Sequence, residues 1–165
     1  MTMTSTLKIT TPSEREIAMT RVFDAPRRLV FEAYTKPELL KRWLGVFGGW
    51  ELAICEMDLR VGGAYRWVWR KGTIEMGMGG VFREIVPEER LVTTEKFDDS
   101  WYEGEALVTA TFTESAGKTT LLATMRYQSK EVRDGVLKSP METGVAASYD
   151  KLAEVLVAMS AGGRQ

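Results

Sequence analysis

The feature that most constrains this chain is a succession of strand-like segments between residues 50 and 128, each separated from the next by a short connector. The connectors are rich in turn-forming residues, such as Gly62-Gly63, Lys71-Gly72 and Pro87-Glu88-Glu89. Segments that follow one another so closely are predicted to pair antiparallel with their neighbours in the chain. The predicted strands cover residues 50–57, 64–70, 79–86, 90–97, 104–114 and 118–128.

One more strand and two short helices are predicted ahead of this series. Residues 14–23 alternate in polarity as a strand does. Asp24-Ala25-Pro26 is typical of a helix start, because proline is favoured in the first turn and aspartate can cap the positive end. Pro37-Glu38 predicts a second short helix as far as Leu44, ended by Gly45. The predicted sheet therefore has about seven antiparallel strands.

A long helix is predicted at the C-terminal end. Ser139-Pro140-Met141-Glu142 has the pattern of a capping box with proline at the first helical position. The apolar residues that follow recur at steps of four, three, four and three, and they are Val145, Tyr149, Leu152, Leu156 and Met159. Such a spacing places them in one stripe along the helix, which needs a sheet to pack on.

The length and charge of the chain indicate one domain without an electrostatic partner. A chain of 165 residues can bury one hydrophobic core, and a net charge of -1 gives no attraction to nucleic acid or to an anionic membrane. We predict a disordered segment over residues 1–13, a single domain over residues 14–160 and a frayed tail over residues 161–165.

The absence of histidine excludes most familiar hydrolase chemistries. The chain lacks the usual general base near neutral pH, the usual metal ligand and any Ser/His or Cys/His pair, and its one cysteine, Cys55, cannot form an internal disulfide. We therefore predict no metal, no cofactor and no catalytic residue. The start of the chain has no signal-peptide pattern and no window is apolar enough for a membrane span, so we expect a cytoplasmic protein.

The predicted strand over residues 64–70 carries three large rings, Tyr65, Trp67 and Trp69, at every second position. In an extended strand that spacing places all three on one face. Three such rings fill a core or line an apolar chamber, and nine methionines favour a chamber that adapts to its ligand. The apolar residues predicted to bind a ligand are Trp43, Tyr65, Trp67, Trp69, Met78, Met125, Tyr127, Met141 and Tyr149.

Polar groups are also predicted near this chamber. Arg60 and Glu84 complete the predicted ligand-binding set, and Glu95 is a third candidate, with weaker ones at Thr93, Thr109 and Ser148. A buried arginine is costly unless it is paired, so Arg60 with a nearby acid such as Asp58 or Glu56 is expected as a structural pair more often than as a catalytic one.

The ordered set of motifs along the chain resembles a known family. The motifs include Arg21-Val22-Phe23-Asp24-Ala25-Pro26, Pro37-Glu38-Leu39-Leu40, Asp58-Leu59-Arg60-Val61-Gly62-Gly63, Gly80-Val81-Phe82-Arg83-Glu84-Ile85-Val86-Pro87 and Ser148-Tyr149-Asp150-Lys151-Leu152. In order and spacing they resemble the SRPBCC or START-like superfamily, and within it the branch named for the activator of the ninety-kilodalton heat-shock chaperone ATPase.

This resemblance implies an α+β helix-grip fold with the order β-α-α-β6-α and a cavity between a curved antiparallel sheet and the last helix. Members of the branch often carry a tryptophan after the glycine of the last helix, where this chain has Val145 after Gly144. A smaller side chain there implies a larger cavity or a different mouth. The chaperone regulator has a second domain for which 165 residues leave no room, so we expect another role.

Three functions remain open from the sequence. The first is binding of a small hydrophobic or amphipathic molecule, such as a lipid, without catalysis. The second is a cofactor-free enzyme, cyclase-like, aromatase-like or hydrolase-like, that uses Arg60, Glu84 or Tyr65 on a bound substrate. The third is a protein-interaction module with a chaperone as partner. A homodimer through an exposed strand edge is also open.

Overall fold

The computed structural model describes residues 7 to 162. The strands and helices follow one another in the order expected from the sequence, with one more strand at the start and one more helix near the end. The strands are β1 (Lys8–Thr10), β2 (Glu16–Phe23), β3 (Glu51–Met57), β4 (Ala64–Lys71), β5 (Ile74–Val86), β6 (Arg90–Phe97), β7 (Ala106–Ser115) and β8 (Lys118–Arg126). The helices are α1 (Arg27–Thr35), α2 (Pro37–Leu40), α3 (Lys130–Lys138) and α4 (Met141–Gly162).

The eight described strands form one antiparallel sheet in the order β1-β2-β8-β7-β6-β5-β4-β3. Each strand from β3 to β8 pairs with its neighbour in the chain, as the short connectors predict. The pairing register shifts between Leu52 and Ile54 in β3 and between Phe82 and Glu84 in β5. Bulges of this kind bend a strand and increase its twist, so they help to curve the sheet.

The long helix α4 packs on the concave side of this curved sheet. Tyr149, Leu152 and Leu156 of its predicted apolar stripe are buried, and they join the main core cluster with Phe23 and Phe112 of the sheet. Helix α1 contacts both α4 and β7, so it closes one end of the sheet. The predicted α+β helix-grip architecture is confirmed.

The two ends of the described chain differ from the sequence prediction. Residues 8–10 lie in the segment predicted to be disordered, yet they pair with Ala18–Thr20 of β2 as a short edge strand. Residues 1–6 of that segment lie outside the described residues, and helix α4 reaches Gly162 in the predicted tail. A strand of three residues has too little pattern to be predicted, because its partner strand supplies the information.

Helix α3 was not predicted either. Ser129 caps it by accepting a hydrogen bond from the Val132 backbone amide at 3.2 Å. The hydroxyl of Ser139, which the sequence predicted as the cap of α4, instead donates to the Val136 carbonyl at 2.5 Å and closes the end of α3. The apparent start signal of one helix therefore serves in part as the end of another.

A buried arginine of the sheet forms an ion pair with α4, and the loss of its partner should lower the free energy of unfolding. Arg21 is 3% exposed, and its Nη1 lies 2.8 Å from Oδ1 of Asp150. Replacing Asp150 with asparagine leaves a buried guanidinium without a charged partner, so we expect the free energy of unfolding to fall by about 1–2 kcal/mol. Urea unfolding checks this against Lys151→Gln, an exposed charge change on the same helix. Equal losses in the two variants would contradict the assignment.

Candidate ligand-binding cavity

A cavity of about 730 Å³ lies between the sheet and α4 and is partly open to solvent. This volume falls within the range of small-molecule binding sites in proteins. Side chains at alternate positions of the strands line it, because successive residues of a strand point to opposite faces. In β6, for example, Leu91, Thr93, Glu95 and Phe97 all line the cavity.

The aromatic residues of β4 form one wall, as the sequence predicts. Tyr65, Trp67 and Trp69 all line the cavity, with ring centroids 4.6 Å apart for the first pair and 6.2 Å apart for the second. On the opposite face, Arg66 and Arg70 form exposed ion pairs with acidic residues of the neighbouring strand and loop. The alternation of β4 therefore separates an apolar chamber from a charged outer surface.

The structure brings together the apolar part of the predicted site. The predicted residues that line the cavity are Trp43, Tyr65, Trp67, Trp69, Met78, Met125, Tyr127, Met141 and Tyr149. They come from three strands or their ends, from the turn after α2 and from α4, so the cavity depends on the complete fold.

Arg60 and Glu84 do not belong to the lining, which corrects their predicted place. Arg60 is exposed in the turn before β4, where its Nε donates to Oδ2 of Asp58 at 2.8 Å. Glu84 lies on the outer surface, 3.0 Å from Nε of Arg90. The bulge between Phe82 and Glu84 changes the alternation of β5, and a simple count of alternate residues cannot detect it.

Hydrogen bonds fix the wall where β4 meets α4. The indole Nε1 of Trp69 donates to the Leu44 carbonyl at 2.9 Å, and the amide of Gly45 donates to Oγ of Ser148 on α4 at 2.9 Å. Gly45 has a φ of +70°, and a Cβ atom there would lie 2.3 Å from the indole nitrogen of Trp69. Only glycine fits this position, because it combines a left-handed backbone with a close aromatic neighbour.

Two tyrosines, the partly buried Tyr34 and the buried Tyr149, contribute to the wall on the side of α1 and α4. The hydroxyl of Tyr34 donates to the hydroxyl of Tyr149 at 3.3 Å. Burial raises the pKa of both hydroxyls, and for Tyr34 the proximity of Tyr149 raises the pKa further. Both side chains therefore remain neutral and offer no charge to a ligand.

One carboxyl group lies inside the cavity. Glu95 lines it, and its carboxyl makes no hydrogen bond or ion pair with any described residue, although its backbone pairs with Ala106 in the sheet. The residue keeps partial accessibility because the cavity admits solvent, but burial of its carboxyl raises the pKa to about 7. Burial also raises the pKa of Tyr65, Tyr102 and Tyr127, and the charge of Glu95 raises each of them further.

The mouth carries a second aromatic group in the loop before β7. Trp101 is 63% exposed and its ring lies edge-on to Tyr102, with centroids 5.0 Å apart. Tyr102 in turn contacts Tyr127 in the same geometry at 6.0 Å. Trp101 and Tyr102 both line the cavity, so they form its rim.

One family model matches most of the chain. The family model described as "Activator of Hsp90 ATPase homolog 1-like protein" matches residues 24–157, from just before α1 almost to the end of α4. The chain belongs to this family. None of the curated proteins is similar enough to match the chain.

Solved structures of bacterial proteins share the fold of this family member. A crystal structure from Rhodobacter sphaeroides is 30% identical, with a TM-score of 0.87, and the match covers 93% of this chain and 99% of that one. A protein from Nitrosomonas europaea is 24% identical, with a TM-score of 0.80, and 92% and 99% of the two chains are covered. One from Mycobacterium smegmatis is 18% identical, with a TM-score of 0.79 and the same coverage.

The remaining reactive groups of this family member are inert or dispersed. Burial raises the pKa of the Cys55 thiol to about 11, so the thiol stays protonated near neutral pH. Within residues 7–162, no group of three or more histidine, cysteine, aspartate or glutamate side chains is placed to hold a metal ion. None of the described helices is long and apolar enough to cross a membrane.

Proposed function

We propose that the chain binds a small hydrophobic or amphipathic molecule in the cavity between the sheet and α4. The observation that carries this proposal is the cavity itself, about 730 Å³ and lined mainly by aromatic and methionine side chains. Aromatic rings offer large apolar faces, and the thioether of methionine adapts to ligands of different shape. A ligand that buries its apolar surface there gains about 25 cal/mol for each Å² removed from water.

The distribution of burial supports a chamber rather than a closed core. The fully buried side chains, such as Val30, Leu121 and Leu152, pack around α1 and α4. Trp67 and Val145 line the cavity but are only partly buried, and Met76 at the same cavity is 43% exposed. Apolar groups that face a cavity and remain accessible are available to a ligand.

The enzyme hypothesis receives less support. Of its three proposed groups, Arg60 and Glu84 lie on the outside in ion pairs. The third, the hydroxyl of Tyr65, donates to the backbone carbonyl of Thr94 at 2.5 Å. None of the three is free to polarise a carbonyl group of a bound substrate, so we propose binding without catalysis.

A thermal-shift screen with fatty acids, fatty alcohols, fatty amines, sterols and flavonoids tests the proposal. A ligand that binds only the native state raises the transition temperature, by an amount that depends on its concentration relative to Kd. A reproducible rise for one chemical class is the expected result. No shift for any class, together with no ligand in solvent extracts or native mass spectra of the purified protein, would overturn the proposal.

A single substitution on α4 should block the cavity. Val145 lines the cavity, so tryptophan at this position is expected to fill part of it and to weaken ligand binding about tenfold or more while the fold is retained. The matched control is Val157→Trp on the same helix, because Val157 is 71% exposed. Titration of the best ligand from the screen measures both variants, and equal affinities for the two would contradict the proposed binding site.

A second candidate rests on the family description. That description names an activator of the Hsp90 ATPase, which supports a role as a chaperone-interacting module. Pull-down with the middle domain of such a chaperone, at physiological salt, tests it. Binding that Val145→Trp does not change would place the partner on an outer surface rather than at the cavity.

A further inference from the structure

The charged groups of the cavity are all acidic. Among the described side chains that line it, the only carboxyl groups are those of Glu95 and Asp99, and no lysine or arginine is present. The arginines of β4 are on the opposite face of the strand, in ion pairs with Asp98 and Glu75. An anionic ligand such as a fatty acid would therefore find no cation inside this chamber.

The two acids differ in their surroundings. Asp99 is exposed at the mouth, where water screens its charge. Glu95 is inside, next to aromatic residues and without a partner among the described residues. An unpaired carboxylate in such a place is costly, and a cationic ligand group can remove that cost by ion pairing.

We propose that the preferred ligand carries an ammonium group on an apolar body, and that Glu95 receives this group within the aromatic wall of the cavity. The inference rests on the proposed function, because it assigns the ligand class of the same cavity. Aromatic faces attract cations through the ring quadrupole, so Tyr65 and Trp67 of β4 add to the attraction that the carboxylate supplies. A neutral body of the ligand would contact the methionine and tryptophan side chains.

The assignment predicts a proton linkage. The titratable groups that face Glu95 from the packed elements are Tyr65 of β4, Tyr102 of the loop before β7 and Tyr127 after β8, with Asp99 at the mouth. The three tyrosines have raised pKa values and stay neutral near pH 7. Among the described interior groups, Glu95 is the one that changes charge there, because burial raises its pKa to about 7. An ammonium ligand binds the ionised carboxyl, so its affinity should rise about tenfold from about pH 6 to about pH 8.

The test uses decylamine, decanol and decanoate, which share an apolar chain and differ only in the head group. Calorimetric or tryptophan-fluorescence titration of the full chain is expected to give decylamine an affinity at least about tenfold above that of decanol, with decanoate the weakest. In Glu95→Gln, the affinity for decylamine should fall to that for decanol and lose its pH dependence, while the affinity for decanol is unchanged. The control is Glu84→Gln, which removes an acid on the outer surface and should leave all three affinities unchanged.

The outcomes separate this inference from the proposed function. If decanol binds but decylamine is no tighter, or if Glu95→Gln leaves the affinity for decylamine unchanged, the ammonium assignment is overturned and the apolar cavity stands. If none of the three compounds binds and the wider screen is also negative, the proposed function itself is overturned. A preference for decylamine that Glu84→Gln also removes would assign the effect to surface charge and overturn the role of Glu95.

Discussion

Replacing Trp43 with alanine is expected to lower the free energy of unfolding by about 3–5 kcal/mol, a typical cost of removing a large buried aromatic side chain. Trp43 is 1% exposed, and its ring lies 4.9 Å from that of Tyr34 and 6.3 Å from that of Tyr149. Its Nε1 donates to the Ala33 carbonyl at 3.0 Å. The residue therefore joins the turn after α2 to α1 and α4 in one core.

Equilibrium urea unfolding measures this effect, with two comparisons that separate its causes. Trp43→Phe keeps an aromatic ring but loses the hydrogen bond, so it should cost clearly less than the alanine variant. Trp101→Ala removes a ring that is 63% exposed, and we expect a small change in the free energy of unfolding. A loss below about 1 kcal/mol for Trp43→Ala would contradict the central position of this side chain.

The sequence predicted the elements whose signals are local and repeated. The predicted strand over residues 90–97 has the bounds of β6, and the aromatic alternation of β4 correctly placed its rings on one face. The predicted apolar stripe of α4 is buried at Tyr149, Leu152 and Leu156. In each of these elements, one period repeats over several residues, and burial of the marked face then follows.

What the sequence did not predict depends on contacts between distant segments. The short strand β1 forms because β2 offers an edge, and α3 takes up Ser139, whose pattern suggested the cap of α4. Glu84 was misplaced by a bulge that only the pairing of β5 with β6 reveals. Glu95 was one of three polar candidates from the sequence. The local pattern cannot tell an unpaired carboxyl from an ion-paired one, so only the surrounding side chains single out Glu95.

Glu95→Gln is expected to stabilise the ligand-free protein above about pH 7 by about 3 kcal/mol relative to the unmodified chain. Burial raises the pKa of this carboxyl from 4.5 to about 7, so the folded state holds a proton that the unfolded state releases over this interval. The contribution of Glu95 to stability is therefore fully present below about pH 4.5, is lost as the pH rises to about 7, and stays lost above that value. Glutamine keeps the shape and carries no charge at any of these pH values.

The informative quantity is the difference between the two chains at each pH, since other groups that titrate over the same range contribute to both curves. Urea unfolding at about pH 4 should give nearly equal stabilities, and the difference should then grow to its full value near pH 7. A difference that does not depend on pH would mean that the carboxyl is paired or solvated in the folded state. The same cost is what an ammonium ligand would relieve, so decylamine should stabilise the unmodified chain more than Glu95→Gln at about pH 8, and the two chains equally little at about pH 4.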